Sequence, residues 1–151
     1  MNILKNLLSY SSDDTEKFGK ELALAILADK ALPKFIAIYG DLGVGKTAFV
    51  RGFVSVVSPT SAVKSPTFTI VNEYRKSSIS VFHFDMYRIN DEDDLLSIGF
   101  YDYLSRDGIC IVEWSEKIPF AIPDTYFSVK IEKIADENEN SRKITVELIQ
   151  G

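Results

Sequence analysis

The chain has 151 residues, of which 46% are hydrophobic and 26% charged, and its formal net charge is −5. This length and composition suit one folded domain, and the acidic balance argues against a protein that grips DNA or other nucleic acid alone. A single cysteine, Cys110, excludes an internal disulfide. Because the sequence contains neither an apolar run of about 18 residues nor a signal-peptide pattern, we expect a cytoplasmic protein without membrane contact.

The first half of the chain alternates between predicted helices and strands. A helix is expected over about residues 13–31, with Asp13 and Glu16 forming a capping box at its start. The apolar run over 34–40 predicts a buried strand that ends in a glycine loop, and a helix is predicted to follow over about 46–57. This order is typical of an α/β protein.

Two strand-like runs follow, SPTFTIVNEYR (65–75) and SISVFHFDMYR (78–88). The short polar link near Lys76–Ser78 predicts that they form an antiparallel hairpin. An acid-rich start predicts a helix over 90–108, because negative charge is favourable in a helix's first turn.

The last third of the sequence predicts three more strands. GICIVEW, residues 108–114, reads as a buried strand that ends in an acid. The alternating runs 125–134 and 142–150 flank the polar link DENENS, which predicts a terminal hairpin. The sheet is therefore expected to be mixed, with both parallel and antiparallel pairs.

The glycine loop carries the sharpest motif, because residues 40–47 fit G-x-x-x-x-G-K-[ST] at every fixed position. Glycines let successive backbone N–H groups point at phosphate oxygens, and the following helix start adds partial positive charge. The motif assigns Lys46 to the β- and γ-phosphates and the Thr47 hydroxyl to Mg²⁺. The predicted nucleotide-binding residues are Asp41, Leu42, Gly43, Val44, Gly45, Lys46, Thr47 and Ala48.

Two acids end apolar strands, which is where a carboxylate that serves Mg²⁺ usually lies. Asp85 closes SVFHFD and Glu113 closes ICIVE, so both are expected at one sheet edge beside the loop. Either acid could bind the metal while the other orients an attacking water. His83, the single histidine, shares a face with Asp85 by alternation. Its role could be in metal or proton chemistry, or it could be structural.

Ser65-Pro66-Thr67 forms a stiff segment ahead of a strand, since proline fixes its own φ. A plain turn is one interpretation. The other is a switch segment in which Thr67 senses a γ-phosphate, as hydroxyls do in other nucleotide-binding proteins.

GDLGVGKT, SPTFTIVNEY, HFDMYR and VEWSEKI, in this order, resemble the bacterial TsaE family, also called YjeE. The resemblance runs from the first helix to about Ile118. It implies a single P-loop ATPase domain over 1–151, with a mixed sheet flanked by helices, that uses ATP or ADP with Mg²⁺. It also implies ATP hydrolysis in the threonylcarbamoyl modification of adenosine 37 in tRNAs that read codons beginning with A. The implied partners are the TsaB and TsaD proteins, through which tRNA is met only indirectly.

The resemblance also implies roles for individual residues. Lys46, Thr67, Asp85 and Glu113 correspond to catalytic positions, and Thr47, Asp85 and Glu113 are the implied metal ligands. Trp114 matches the second residue of an E-W pair, near the nucleotide or a partner. Ala48 departs from the family, which usually has a second threonine there, so the α-phosphate contact is expected from backbone N–H alone.

Three other functions share parts of this pattern. A small-molecule kinase shares the loop but usually has an arginine-bearing lid, of which the sequence shows no obvious example. A GTPase usually selects guanine with N-K-x-D, which is absent from the sequence. A nucleotide-gated interaction module that scarcely hydrolyses ATP would keep the loop and the switch segment.

Overall fold

The computed structural model describes residues 3–67, 69–75, 79–135 and 138–151. The chain combines strands and helices, as expected for an α/β protein, and its first five elements alternate between the two. Two 3₁₀ turns, Ser115–Lys117 and Pro119–Ala121, follow the fifth strand. The elements are β1 (Ile3–Ser9), α1 (Ser12–Ala28), β2 (Phe35–Tyr39), α2 (Lys46–Val57), β3 (Val71–Tyr74), β4 (Val81–Asp85), α3 (Glu92–Ser97), α4 (Phe100–Ser105), β5 (Ile109–Glu113), β6 (Tyr126–Lys133) and β7 (Arg142–Ile149).

In the described ranges these strands form one seven-stranded sheet in the order β1-β7-β6-β2-β5-β4-β3. The centre is parallel, since β2 pairs with β5 and β6, and β4 pairs with β5. The edges are antiparallel, through β3–β4, β6–β7 and β1–β7. This arrangement confirms the predicted mixed sheet and both predicted hairpin pairings. The link at residues 76–78 and part of the second link, residues 136–137, lie outside the described residues.

The sheet separates two apolar cores, because alternate side chains of a strand point to opposite faces. On one face, Ile36 and Ile38 of β2 pack with residues of α1 and α2. On the other face, Phe35 and Ala37 pack with α3, α4 and the 3₁₀ turns. Helices therefore flank the sheet on both sides, as predicted.

The helices α1 and α2 pack unusually close, and two glycines permit this approach. A Cβ atom on Gly52 would lie 1.8 Å from the carbonyl oxygen of Glu16, and one on Gly19 would lie 2.0 Å from that of Phe49. Since real Cβ atoms do not make contacts this short, both positions require glycine.

The first helix starts within one residue of its predicted start at about residue 13, but its predicted end at about residue 31 and its predicted cap were wrong. The predicted capping box does not form; instead the Ser11 hydroxyl caps α1 by accepting from the backbone N–H of Asp14 at 3.1 Å. The helix stops at Ala28, because the Asp29 carboxylate accepts from the N–H of Ala31 and turns the chain. The serine hydroxyl competes successfully with the aspartate as a cap.

Other predictions also needed correction. The single helix expected over 90–108 is two short helices, separated at Gly99, whose φ of 72° is left-handed. The strand expected from residue 65 begins only at Val71. Edge strand β1 was not predicted, because its pattern ILKNLLS lacks clear alternation. No helix in the described part of the chain is long and apolar enough to cross a bilayer.

Candidate functional site

The glycine loop joins β2 to α2 at the carboxyl edge of the central parallel strands. Gly40 leaves β2 at a φ of 154°, and a Cβ there would lie 2.7 Å from the carbonyl oxygen of Ile131. Gly45 is the residue before α2, with a left-handed φ of 108° and no side chain that could cap the helix. The first N–H groups of α2 are thus directed at the loop, where an anion would bind favourably.

Lys46 begins α2 and is 95% buried, with 5% of its surface exposed. Its ammonium group donates to the carbonyl oxygen of Gly40 and, at 3.2 Å, to that of Asp41. The Nζ atom also lies 3.6 Å from the centre of the Trp114 ring, a cation–π contact. The lysine charge is therefore held inside the loop.

Burial lowers the pKa of Lys46 from its ordinary value of 10.5, because desolvation penalises the charged ammonium. The carboxylates of Glu116, Glu113, Asp85 and Asp41 act in the opposite direction. Burial is the larger effect, so the folded protein favours the charged form of this lysine less than water does.

Thr47 and Glu113 are in direct contact. The Thr47 hydroxyl donates to the Glu113 carboxylate, with distances of 3.3 and 3.1 Å to its two oxygens. Glu113 Oε2 also lies 2.5 Å from Nε2 of His83, which is fully buried. A hydroxyl from the helix and an imidazole from β4 thus fix the orientation of this carboxylate.

The histidine extends the network toward the segment before Thr67. His83 Nδ1 lies 3.2 Å from the Tyr74 hydroxyl. The Tyr74 hydroxyl donates to the carbonyl oxygen of Lys64 at 3.2 Å and accepts from the backbone N–H of Lys64 at 3.3 Å. A chain of polar contacts therefore links the glycine-loop helix to residue 64.

Asp85 and Glu113 are opposite each other in the parallel pair β4–β5, which places both acids at one sheet edge. The hydroxyl of Thr67 donates to Asp85 Oδ2 at 3.3 Å, and the backbone N–H of Tyr87 donates to Asp85 Oδ1 at 2.9 Å. Ser65 Oγ lies 2.8 Å from Thr67 Oγ1. The sequence motifs on β4, β5 and the 65–67 segment thus meet in space.

These groups surround a cavity of about 270 Å³, here called the loop cavity. It brings together Lys46, Thr47, Thr67, Asp85 and Glu113. Its lining residues are Leu42, Gly43, Gly45, Lys46, Thr47, Ala48, Ser65, Thr67, Asp85, Glu113 and Trp114.

Two predicted loop residues do not line the loop cavity. The Asp41 carbonyl bonds to Lys46, and the Val44 side chain is buried in the core beside α1 and α2. Leu42 lines the cavity yet is 75% exposed. The loop therefore meets the cavity through Leu42, two of its glycines, Gly43 and Gly45, and its last three residues.

A second cavity of about 170 Å³ adjoins the first, and the two share Gly43, Gly45 and Ala48. Apart from Val44 of the glycine loop, its other lining residues come from the start of α1 and from the junction of β7 with the turn before it, which are distant in sequence. Asn140 and Arg142 could not be predicted from the sequence, since no motif surrounds them. The second cavity is lined by Ser11, Ser12, Thr15, Gly43, Val44, Gly45, Ala48, Asn140 and Arg142.

The loop cavity offers oxygen donors of the kind that Mg²⁺ prefers, a hydroxyl from Thr47 and carboxylates from Asp85 and Glu113. Within the described ranges, no three His, Cys, Asp or Glu side chains are grouped so as to hold an ion by themselves. The donor set therefore fits an ion whose remaining ligands are water and phosphate oxygens, which is the usual coordination of Mg²⁺ in phosphate sites.

The fold and the loop define a P-loop-type protein. A family model described as threonylcarbamoyl adenosine biosynthesis protein TsaE matches residues 9–144. The chain belongs to the TsaE family.

Individual relatives agree with this assignment. A tRNA threonylcarbamoyladenosine biosynthesis protein TsaE from Haemophilus influenzae is 38% identical over 137 residues, covering 88% of this chain and 86% of that protein. The protein of the same name from Aquifex aeolicus is 35% identical over 147 residues, covering 95% of this chain and 98% of its own. The crystal structure of YdiB from Bacillus subtilis superposes with a TM-score of 0.77 at 27% identity, covering 99% of this chain and 88% of that one.

Proposed function

We propose that this protein binds and hydrolyses ATP in the threonylcarbamoyl modification of adenosine 37 in tRNAs that read codons beginning with A. The observation that carries the proposal is the loop cavity, where Lys46 and Thr47 face Thr67, Asp85 and Glu113. A cationic loop and two carboxylates around one cavity suit phosphoryl transfer, in which catalysis is mainly positioning and electrostatic stabilisation.

Each side chain has a role that its contacts support. Lys46 would turn from the carbonyls of Gly40 and Asp41 toward the β- and γ-phosphates. Thr47 and Glu113 would hold Mg²⁺, which neutralises charge on the phosphate oxygens when it is bound. Asp85, positioned by Thr67 and by the N–H of Tyr87, would orient water at the γ-phosphate.

The nucleoside of ATP would occupy the second cavity. The two cavities share Gly43, Gly45 and Ala48, so a ligand with phosphates on the loop can continue into the second cavity. Ala48 has no hydroxyl, so the α-phosphate would be held there by backbone N–H groups. Ser11, Thr15 and Asn140 supply hydrogen-bonding groups for a sugar and a base.

The acidic net charge of −5 supports a protein that meets tRNA indirectly. We propose that the TsaB and TsaD proteins hold the tRNA and transfer the threonylcarbamoyl group, while ATP turnover here resets their complex. Work on tRNA would place the protein in the cytoplasm.

One observation favours a second candidate, a nucleotide-gated interaction module that scarcely hydrolyses ATP. Both carboxylates are already engaged by neighbours, Glu113 by Thr47 and His83, and Asp85 by Thr67 and Tyr87. If these contacts persist when ATP is bound, neither acid is free to activate water, and binding alone would carry the function.

The test is ATP turnover by the purified chain, alone and with the TsaB–TsaD pair. Partner-stimulated phosphate release that is lost in Lys46→Ala would support the proposal. ATP binding without release in either condition would favour the interaction module. ADP formed only with an added small acceptor, together with the phosphorylated acceptor and without free phosphate, would instead indicate a kinase.

Variants of the two acids test whether each belongs to the site. Asp85→Ala and Glu113→Ala should each lower turnover by roughly 100-fold, because each loses a group that stabilises or positions charge in the transition state. Thr67→Ala should weaken the response to ATP more than the binding of ADP, since only ATP has a γ-phosphate. Near-normal turnover in either acid variant would remove that residue from the site.

A further inference from the structure

Arg142, which lies outside the sequence motifs, contacts the glycine loop. Arg142 begins β7, and its Nε donates to the carbonyl oxygen of Val44 at 3.0 Å, across 98 positions of sequence. Its Nη1 donates to the carbonyl oxygens of Glu139 at 2.5 Å and Ser141 at 3.0 Å. Hydrogen bonds from the Arg142 guanidinium thus link the glycine loop to the turn before β7.

We propose that Arg142 is a positioning residue that aims the Gly45 N–H at the phosphates of the bound nucleotide. This inference rests on the proposed nucleotide-binding function and adds a residue to it.

The proposal follows from the geometry of the peptide unit between Val44 and Gly45. The unit between Val44 and Gly45 is trans and planar, so its carbonyl and its N–H point in opposite directions. Arg142 holds the Val44 carbonyl on the β7 side of the loop. The Gly45 N–H is therefore directed away from Arg142, and Gly45 lines the loop cavity.

The Val44 side chain fixes the same peptide from its other end. It is 4% exposed and packs in the core beside α1 and α2, so the Cα of Val44 cannot shift freely. Gly45 itself has a left-handed backbone and no Cβ, and alone it would let the peptide rotate. The hydrogen bond from Arg142 removes that rotational freedom.

Arginine suits this position better than lysine. Its guanidinium presents several N–H donors in a fixed plane, which lets one side chain bind the carbonyls of Val44, Glu139 and Ser141 together. A lysine ammonium keeps the positive charge but lacks this rigid fork. The comparison of Arg142→Lys with Arg142→Gln therefore separates positioning from charge.

The experiment measures binding of two ligands by calorimetry, ADP and inorganic tripolyphosphate, each with Mg²⁺. Tripolyphosphate has no nucleoside, so it reports on the loop without the second cavity, which Arg142 also lines. Lys143→Gln is the matched control, because Lys143 is the exposed next residue of β7. Thermal melting of every variant shows that it is folded at the assay temperature.

We expect Arg142→Lys and Arg142→Gln to weaken the binding of ADP and the binding of tripolyphosphate alike, by about 10-fold or more. This is the size expected when a hydrogen bond to a charged group loses its alignment. The KM for ATP in partner-stimulated turnover should rise by the same factor, while kcat stays within about twofold, because the loop N–H binds ground and transition states equally. Lys143→Gln should bind ADP and tripolyphosphate as tightly as the unaltered protein does.

Three results would overturn the proposal. Loss of ADP binding with unchanged tripolyphosphate binding would mean that Arg142 touches the nucleoside. Weakening in Arg142→Gln but not in Arg142→Lys would mean that charge alone matters. Unchanged binding in both would mean that the loop holds its own geometry. If the unaltered protein binds neither ATP, ADP nor tripolyphosphate, it is the proposed nucleotide function that fails.

Discussion

Replacing Lys46 with methionine should abolish nucleotide binding while changing the stability of the fold at pH 7 by no more than about 2 kcal/mol. Methionine is nearly the same length and flexible enough to fill the same space against Trp114, where its sulfur can contact the ring. The substitution removes a buried ammonium group, and burial lowers the pKa of this group. It also removes the charge that the β- and γ-phosphates need.

The size of the change follows from opposing contributions. Replacing a buried charge by an apolar group of similar volume can stabilise a protein by about 1–4 kcal/mol. The lost bonds to the carbonyls of Gly40 and Asp41, and the lost cation–π contact, act in the opposite direction at about 0.5–1.5 kcal/mol each, or about 1.5–4.5 kcal/mol for the three. The two contributions therefore nearly cancel, and a residual change of about 2 kcal/mol in either direction would shift the Tm by about 4–8 °C for a chain of this length.

The pH dependence tests the cause. Because the folded-state pKa of Lys46 lies below its ordinary 10.5, the unfolded chain binds more protons between the two values, and stability rises with pH there. The unaltered protein is thus penalised fully at neutral pH and regains stability as the pH approaches 10.5. The stability of Lys46→Met relative to that of the unaltered protein should therefore be highest near pH 7 and fall toward pH 10.

Thermal melting of both proteins, with and without ADP and Mg²⁺, measures all of this in one series. ADP should raise the Tm of the unaltered protein and leave that of Lys46→Met unchanged, because a ligand stabilises only a fold that binds it. A Tm for Lys46→Met that differs from that of the unaltered protein by more than about 8 °C at pH 7 would refute the reasoning. So would a difference that stays constant with pH.

Three further predictions concern the fold. Gly52→Ala should lower stability by about 2–4 kcal/mol in chemical unfolding, because its Cβ would lie 1.8 Å from the Glu16 carbonyl; a smaller loss would mean that α1 and α2 separate easily. Ser11→Ala should cost about 1 kcal/mol by removing the cap of α1, and Ser11→Asp should restore it. Burial raises the pKa of the Cys110 thiol to about 12, so iodoacetamide should label it at pH 8 only in denaturant. Rapid labelling of the folded protein would show that β5 opens.

The sequence predicted the mixed sheet and the position of Asp85 and Glu113 at one edge of it. Buried apolar runs, a glycine motif and acids at strand ends are local signals, and the fold brings such ends together. The alternation of β4 placed His83 and Asp85 on one face, and the structure confirms that both belong to the face covered by α2. The motif residues lie together, while their chemical roles remain predictions.

What the sequence could not predict depends on contacts between distant segments. Arg142 reaches Val44 only because β7 lies beside β6, and β6 beside β2, an order that no local pattern encodes. The bond between Tyr74 and Lys64 likewise depends on tertiary folding. At α1 the difficulty was local, because Ser11 and Asp13 are both good caps and only packing decides between them.

The pairing of Asp85 with Glu113 has a consequence for how this chain can vary. Their separation is set by backbone register between β4 and β5, and inserting or deleting one residue within β4 would shift that register. Such a slip would turn His83 and Asp85 to the opposite face and bring Phe84 or Met86 beside Glu113. Point substitutions nearby can change the surroundings of the two carboxylates gradually, whereas a change in the length of β4 separates the two carboxylates at once. Length differences among relatives should therefore fall outside β4 and β5.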